Sequence, residues 1–185
     1  ANHATHLVRQ LLTFSRKNVQ EAESIELNQL LDDLRNFVRS LLSENIELDI
    51  RLSDTPAWIR ADRNQIEQVI FNLCLNARDA MPGGGRLMIT IGVREITPEL
   101  NSRIAPGRYA QLKIADNGCG IPDDVQARGF EPFFTTKAHG RGTGLGLSTC
   151  INICRAYGGD ISLVSAPGVG TEFTVLIPES ENIDE

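Results

Sequence analysis

Apolar residues recur at 3.6-residue spacing through Leu27, Leu30, Leu31, Leu34, Val38, Leu41 and Leu42, which predicts a helix over residues 27–42. The period then changes to two. Ile46, Leu48, Ile50 and Leu52 alternate with polar positions, as a half-buried strand does, and "AWIRA" reads as a second, short strand. Asp62 is placed to cap the next helix, "RNQIEQVIFNLCLNARDAM", whose apolar face is Ile66, Val69, Ile70, Leu73, Ala77 and Ala80. Pro82 and the glycines 83–85 stop it. "RLMITIGVRE" and "YAQLKIAD" are strands by alternation, and "PDDVQARGF" is a short helical turn. A helix over 145–157 ends at Gly158 and Gly159. "DISLVSA" and "TEFTVLIP" form a closing hairpin around "PGVG".

The first segment, residues 4–17, also carries a helical stripe, with Leu7, Leu11 and Phe14 beside Val8 and Leu12. Two readings stay open for that stripe: a partner helix outside this chain, or its own domain. "NVQEAES" is expected to be a polar linker, and the acidic "ESENIDE" a frayed tail. Mixed helices and strands with hairpin-linked later strands predict an α+β fold. It is a two-layer α/β sandwich, with one mixed sheet of about five strands covered by about three helices.

Composition narrows the function. The chain has 185 residues, 41% hydrophobic and 23% charged, which allows one well-packed domain. Its net charge of -6 and lack of a Lys/Arg cluster argue against nucleic acid as a partner. No apolar run approaches the roughly 20 residues of a membrane span. The opening "ANHATHLVRQ" lacks an initiator Met, so a fragment of a larger protein is expected, itself cytoplasmic whether or not the parent is membrane-anchored. Of the four cysteines, Cys150 and Cys154 share a helix face. Apolar filler in a reducing compartment accounts for them better than a metal pair does.

Four stretches carry candidate chemistry. Glycines 140, 142, 144 and 146 stand directly before an apolar helix. They match neither GxGxxG nor GxxxxGK[ST], and no strand precedes them. Exposed N–H groups at a helix start still favour an anion, and Lys137 and Arg141 add positive charge. A plain flexible turn is the alternative. In "NLCLNARDAM", Asn72, Asn76 and Asp79 border the buried helix face. Amide oxygens at i, i+4 suit Mg²⁺, which keeps waters and bridges phosphates; a solvated helix edge is the alternative. In "IADNGCGIP", Asp116 ends a strand and could accept from an exocyclic amine such as adenine N6. An ordinary Asn-Gly turn is the bland reading there. "FEPFFTTK" puts Phe130, Phe133 and Phe134 in a loop, as a lid over a ligand or as a loop pinned into the core.

In this order and together, these stretches resemble the catalytic ATP-binding domain of sensor histidine kinases, of the Bergerat (GHKL) ATPase superfamily. "NLCLNARDA" is similar to the N box and "DNGCGIP" to the G1 box. "FEPFFTTK" is similar to the F box, "GRGTGLGLS" to the G2 box, and "GTEFTVLIP" to the last strand. "HLVRQLLTFSRK" resembles the end of the second helix of the dimerisation and histidine-phosphotransfer hairpin. The resemblance implies residues 1–22 as that helix end plus linker, 23–180 as the catalytic domain in the Bergerat fold, and 181–185 as a tail.

It also implies roles. Asn76 would hold Mg²⁺ on the phosphates, with Asn72 in support and Asp79 beside it. Asp116 would read the adenine amine, with Thr171 near the base. Gly118, Gly120 and Ile121 would border the base. Gly142, Thr143, Gly144, Leu145, Gly146 and Leu147 would wrap the phosphates with Lys137 and Arg141. The implied ligands are ATP or ADP. The implied partners are a response-regulator receiver domain and a hairpin helix of the same or a partner subunit, within a full-length homodimer.

Some positions depart from the family pattern. Neither His3 nor His6 is followed by the acid of an H box, so the phosphoacceptor is expected upstream. Asp79 stands where some relatives have Lys, and Gly129 where a bulky apolar residue is usual. Hydrolytic relatives place a Glu base about where Asn72 stands. An ATPase clamp and a non-catalytic nucleotide sensor remain the competing readings.

Overall fold

The structure, a computed structural model, describes residues 22–136 and 143–181. The expected helix over 4–17 and the end of the acidic tail lie outside them. Chain order is β1 (Glu23–Glu26), α1 (Leu27–Leu41), β2 (Ile46–Arg51), β3 (Trp58–Ala61), α2 (Arg63–Ala80), β4 (Gly85–Ile96), β5 (Gly107–Asp116), α3 (Asp123–Gln126), α4 (Gly146–Ala156), β6 (Asp160–Ala166) and β7 (Gly170–Pro178).

The main sheet has five strands in the order β2-β4-β5-β7-β6. Only β2–β4 is parallel, and the other three pairings are antiparallel. One correction concerns the start of the domain. The last two residues of the stretch expected as linker, Glu23 and Ser24, open β1, which pairs antiparallel with β3 in a separate two-stranded sheet. Four residues with a single buried side chain, Ile25, give too short an alternation to read as a strand.

Both long helices start on a carboxylate. Glu26 accepts from the N–H groups of Asn28 (3.1 Å) and Gln29 (2.8 Å), and Asp62 accepts from Asn64 N–H (2.8 Å). Such caps satisfy donors that the helix leaves over. One core joins the layers. Ile66, Val69, Ile70 and Leu73 of α2 and Cys150, Ile151 and Cys154 of α4 pack with Leu87, Ile89, Leu112, Ile114, Phe173 and Val175 of the sheet. Each such Val, Leu, Ile or Phe side chain contributes about 1.5–3 kcal/mol by leaving water. Burial pushes the thiols of Cys74, Cys150 and Cys154 up to about 12, so they act as small apolar residues.

A small second cluster, Ile96, Tyr109 and Leu176 with Ile104, lies outside that core. The 97–106 connection is tied down by the Tyr109 hydroxyl, which donates to Ala105 O (2.8 Å). It is also held by Asp160, which takes Arg103 (2.9 Å) and Asn101 Nδ2 (3.2 Å). The Asp160 side chain is 3% exposed, that of Arg103 57%. Arg103→Ala is therefore expected to cost about 1–2 kcal/mol, because a buried carboxylate loses a charged donor that is itself half in water. Urea unfolding at neutral pH measures it.

Candidate functional site

Helix α2 forms one wall of the candidate site. It is buried on the Ile66/Val69/Leu73 side, so Asn72 and Asn76 fall on its border, one turn apart. Asn72 Nδ2 donates to Gly146 O at 3.4 Å, which ties α2 to the start of α4. At the end of α2, Ala80 O accepts from Cys119 N–H (3.0 Å). The glycine loop after β5 and the glycine-led start of α4 thus both rest on the helix that carries the two asparagines. Asp79 lies on the exposed side, with its carboxylate 2.8 Å from Arg78.

The opposite wall is one end of the sheet. Register places Leu87, Asp116, Thr171 and Ser165 in a row across β4, β5, β7 and β6. Alternation turns this row to the same side as Ile114, Phe173 and Leu163. Asp116 therefore sits where an apolar residue would be expected. Its Oδ1 accepts from Gly118 N–H at 2.8 Å. Burial raises its carboxyl above the usual carboxylate value, while the N–H groups of Gly118 and Thr171 pull the other way. Thr171 is 5% exposed, and its hydroxyl lies 2.8 Å from Ser165 Oγ.

The glycines have a reason in the chain itself. A Cβ at Gly118 would lie 2.5 Å from Ala80 O, and one at Gly120 (φ +69°) would overlap the Ala166 carbonyl. Gly144 (φ +65°) leaves no room for a side chain beside the Phe133 backbone, whose N–H donates to Gly144 O (2.9 Å). The F-box stretch is thereby joined to the G2-box stretch. Its three aromatics part ways: Phe130 packs on the core, Phe134 lies under Arg128 (4.3 Å), and Phe133 is 74% exposed.

The start of α4 has no side-chain cap at Leu145, and Leu145 N–H donates to Thr143 Oγ1 (3.3 Å). Leu147 packs against the core. Ile121 is half-buried, with its N–H on Ser165 Oγ (2.8 Å) and its carbonyl on Gln126 Nε2 (2.7 Å). Lys137, Arg141 and Gly142 lie outside the described residues. Ser165 and Gln126, which brace the glycine loop, were not anticipated. Ser165 had a signal: it is the polar residue at the inward phase of "DISLVSA".

Residues 61–181 match the family described as "Histidine kinase-, DNA gyrase B-, and HSP90-like ATPase". The chain belongs to that ATPase family. Its relatives are named sensor kinases. It is 44% identical over 183 residues to the sensor kinase CckA of Brucella abortus (strain 2308), covering 96% of this chain and 19% of that protein. It is 33% identical over 177 residues to the signal transduction histidine-protein kinase AtoS of Escherichia coli (strain K12), covering 93% of this chain and 26% of the relative. The chain thus spans about a fifth to a quarter of their lengths. The mycobacterial sensor histidine kinase MprB superposes with a TM-score of 0.67 at 26% identity, over 85% of this chain and 97% of that one. The fold is that of histidine-kinase catalytic domains, the Bergerat fold, and the domain is of the ATP-binding type.

Proposed function

We propose that this domain binds Mg²⁺-ATP between α2 and the Asp116–Thr171 end of the sheet and passes the γ-phosphoryl group to a histidine. The acceptor imidazole would lie on a hairpin helix of the same or a partner subunit. Its nitrogen forms the new P–N bond as the bond to the β-phosphate oxygen breaks and ADP leaves. The phosphohistidine would then supply a receiver-domain aspartate. Under this reading residues 1–22 end the hairpin, 23–180 are the catalytic domain and 181–185 a tail, in the cytoplasmic part of a homodimeric kinase. Among the described residues, no helix is long and apolar enough to cross a membrane.

One observation favours transfer over hydrolysis. Asn72, an amide held against Gly146 O, stands where a clamp-type ATPase needs a carboxylate to take a proton from water. Catalysis then rests on holding phosphate and imidazole in line and on charge at the phosphates. The α4 start, with Thr143, Gly144, Leu145, Gly146 and Leu147, would offer backbone N–H groups, with Lys137, Arg141 and Gly142 alongside.

The donor set fits a metal shared with phosphate. Among the described residues no cluster of three His, Cys, Asp or Glu side chains could cage an ion. A neutral amide oxygen from Asn76 suits Mg²⁺ that keeps waters and phosphate oxygens. When bound, the ion neutralises charge on the phosphates.

Incubation with a separate H-box hairpin and γ-labelled ATP tests the proposal. An acid-labile, alkali-stable label on the hairpin is expected, and Asn76→Ala should lower it about 100-fold. Release of inorganic phosphate with an unlabelled hairpin would overturn it in favour of an ATPase clamp.

A further inference from the structure

Helices α2 and α4 run in opposite directions and touch at three levels. At the start of α4, Gly146 O accepts from Asn72 Nδ2 at 3.4 Å, a long bond that holds little by itself. One turn on, Cys150 Sγ lies 4.0 Å from Val69 O, and a thiol is a weak donor. At the end of α4 the contact is stronger. The Tyr157 hydroxyl accepts from Asp62 N–H (3.0 Å) and donates to Gln65 Oε1 (3.0 Å), while its ring packs on the core. Asp62 is the N-cap of α2, and Gln65 stands three residues further on. In an ordinary capping box a glutamine at that position reaches back to the N–H of the cap residue. Here a tyrosine oxygen from another helix stands between the two, spending its proton on one and a lone pair on the other.

We infer that Tyr157 is a positioning residue for phosphoryl transfer: its hydroxyl pins the far end of α4 to the cap of α2, and so sets where the start of α4 stands against Asn72 and Asn76. This rests on the proposed reading of that start as the phosphate-holding end of the cleft. Helix α4 has 11 residues, about 16 Å of stiff rod, so an anchor at one end fixes the other. Transfer is sensitive to that placement, since a shift of about 1 Å at the reacting groups costs up to about 100-fold in rate. Asp116 and Thr171 stand on β5 and β7, on neither helix, so the grip on the base does not depend on the bridge. Nor does the cap of α2. Without the tyrosine oxygen, Gln65 can close the box directly on Asp62 N–H. Loss of the bridge therefore costs alignment more than affinity or stability.

The test is transfer from Mg²⁺-ATP to the separate H-box hairpin, beside binding of a fluorescent ATP analogue and thermal unfolding of each variant. Tyr157→Phe should lower the rate at saturating ATP about tenfold, with KM for ATP and analogue affinity within about twofold of the parent. Its melting temperature should fall by no more than about 4 °C. Gln65→Ala keeps the Asp62–Tyr157 half of the bridge, and should lower the rate about threefold. The double variant leaves Asp62 N–H with neither partner, so it should melt lower than the two single shifts added together. A parent-like rate in Tyr157→Phe overturns the inference. So does a rate that falls only in step with ATP affinity and melting temperature, which is the result of a merely structural role. Additive melting shifts overturn it as well, because the box then does not close on Gln65. If Tyr157→Phe does not fold, Gln65→Ala carries the test alone, and a parent-like rate in it overturns the inference. A parent that binds ATP and never labels the hairpin removes the proposed transfer and this inference together. A labelling parent with unaffected variants removes the inference alone.

Discussion

Asp116→Asn is expected to lower ATP affinity about 100-fold and, at neutral pH, to raise the melting temperature of the nucleotide-free domain. The two effects have one origin. A carboxylate half-buried beside Leu87, Thr171 and Ser165 is poorly solvated, and burial raises its pKa above the ordinary 3.8 despite the N–H groups of Gly118 and Thr171. The folded protein therefore binds this proton at higher pH than the unfolded chain does. Stability from this group is full below about 3.8, falls as pH rises through the raised value, and is lost above it. Asparagine keeps an oxygen for Gly118 N–H and carries no charge, so the penalty at pH 7 disappears. The base meets the opposite outcome. A hydrogen bond to a charged acceptor contributes about 1.5–3 kcal/mol, and the amide can turn its NH₂ toward the incoming amine. Isothermal titration with an ATP analogue, run beside differential scanning calorimetry, reads both. The parent's affinity should itself decline as acidification protonates Asp116. A variant that binds ATP like the parent would remove Asp116 from base recognition, and one that melts lower would remove the desolvation argument.

The same row shows what could be read in advance and what could not. The strand ending in Asp116 was legible because Ala110, Leu112 and Ile114 alternate cleanly, and the carboxylate at the next inward position broke the pattern. Helix α2 was legible for the same reason, with Asn72 and Asn76 at the edge of a continuous apolar face. β1 was not, since one inward isoleucine in four residues carries almost no periodic signal. The tie between the 97–106 connection and Asp160 was hidden too, because it joins residues some sixty positions apart without hydrophobic periodicity. Ser165 was a polar residue in an inward phase, as Asp116 was, but no motif drew attention to it. Periodicity reports which way a side chain faces. It does not report which backbone group arrives from elsewhere to meet it.

Glycines make that last point testable, and Gly120→Ala is expected to cost about 3 kcal/mol or more in the absence of any nucleotide. The family resemblance casts Gly118 and Gly120 as space for a base. Packing supplies a separate demand. Gly120 holds φ at +69°, which costs an L residue about 1–2 kcal/mol by itself. The new methyl would also overlap the Ala166 carbonyl, a backbone atom at the β6–β7 turn that cannot swing aside as a side chain would. The turn is held in place from the other side as well, because Gly168 N–H donates to Cys119 O at 2.8 Å and Ser165 Oγ grips Gly170 O. Loop and turn must therefore separate, and with them the bonds that align Thr171 with Asp116; overpacking against backbone belongs among the severe mutational mechanisms. Gly83→Ala is the control: its Cβ would meet nothing within 4 Å, and its effect should stay within about 0.5 kcal/mol. Denaturant unfolding of both variants without nucleotide decides the matter. If Gly120→Ala unfolds like the parent and loses only ATP affinity, the glycine serves the base alone. If it unfolds at much lower urea concentration, the loop is first a piece of the protein's own packing, and the room it leaves for a purine follows from how tightly it is pressed against the β6–β7 turn.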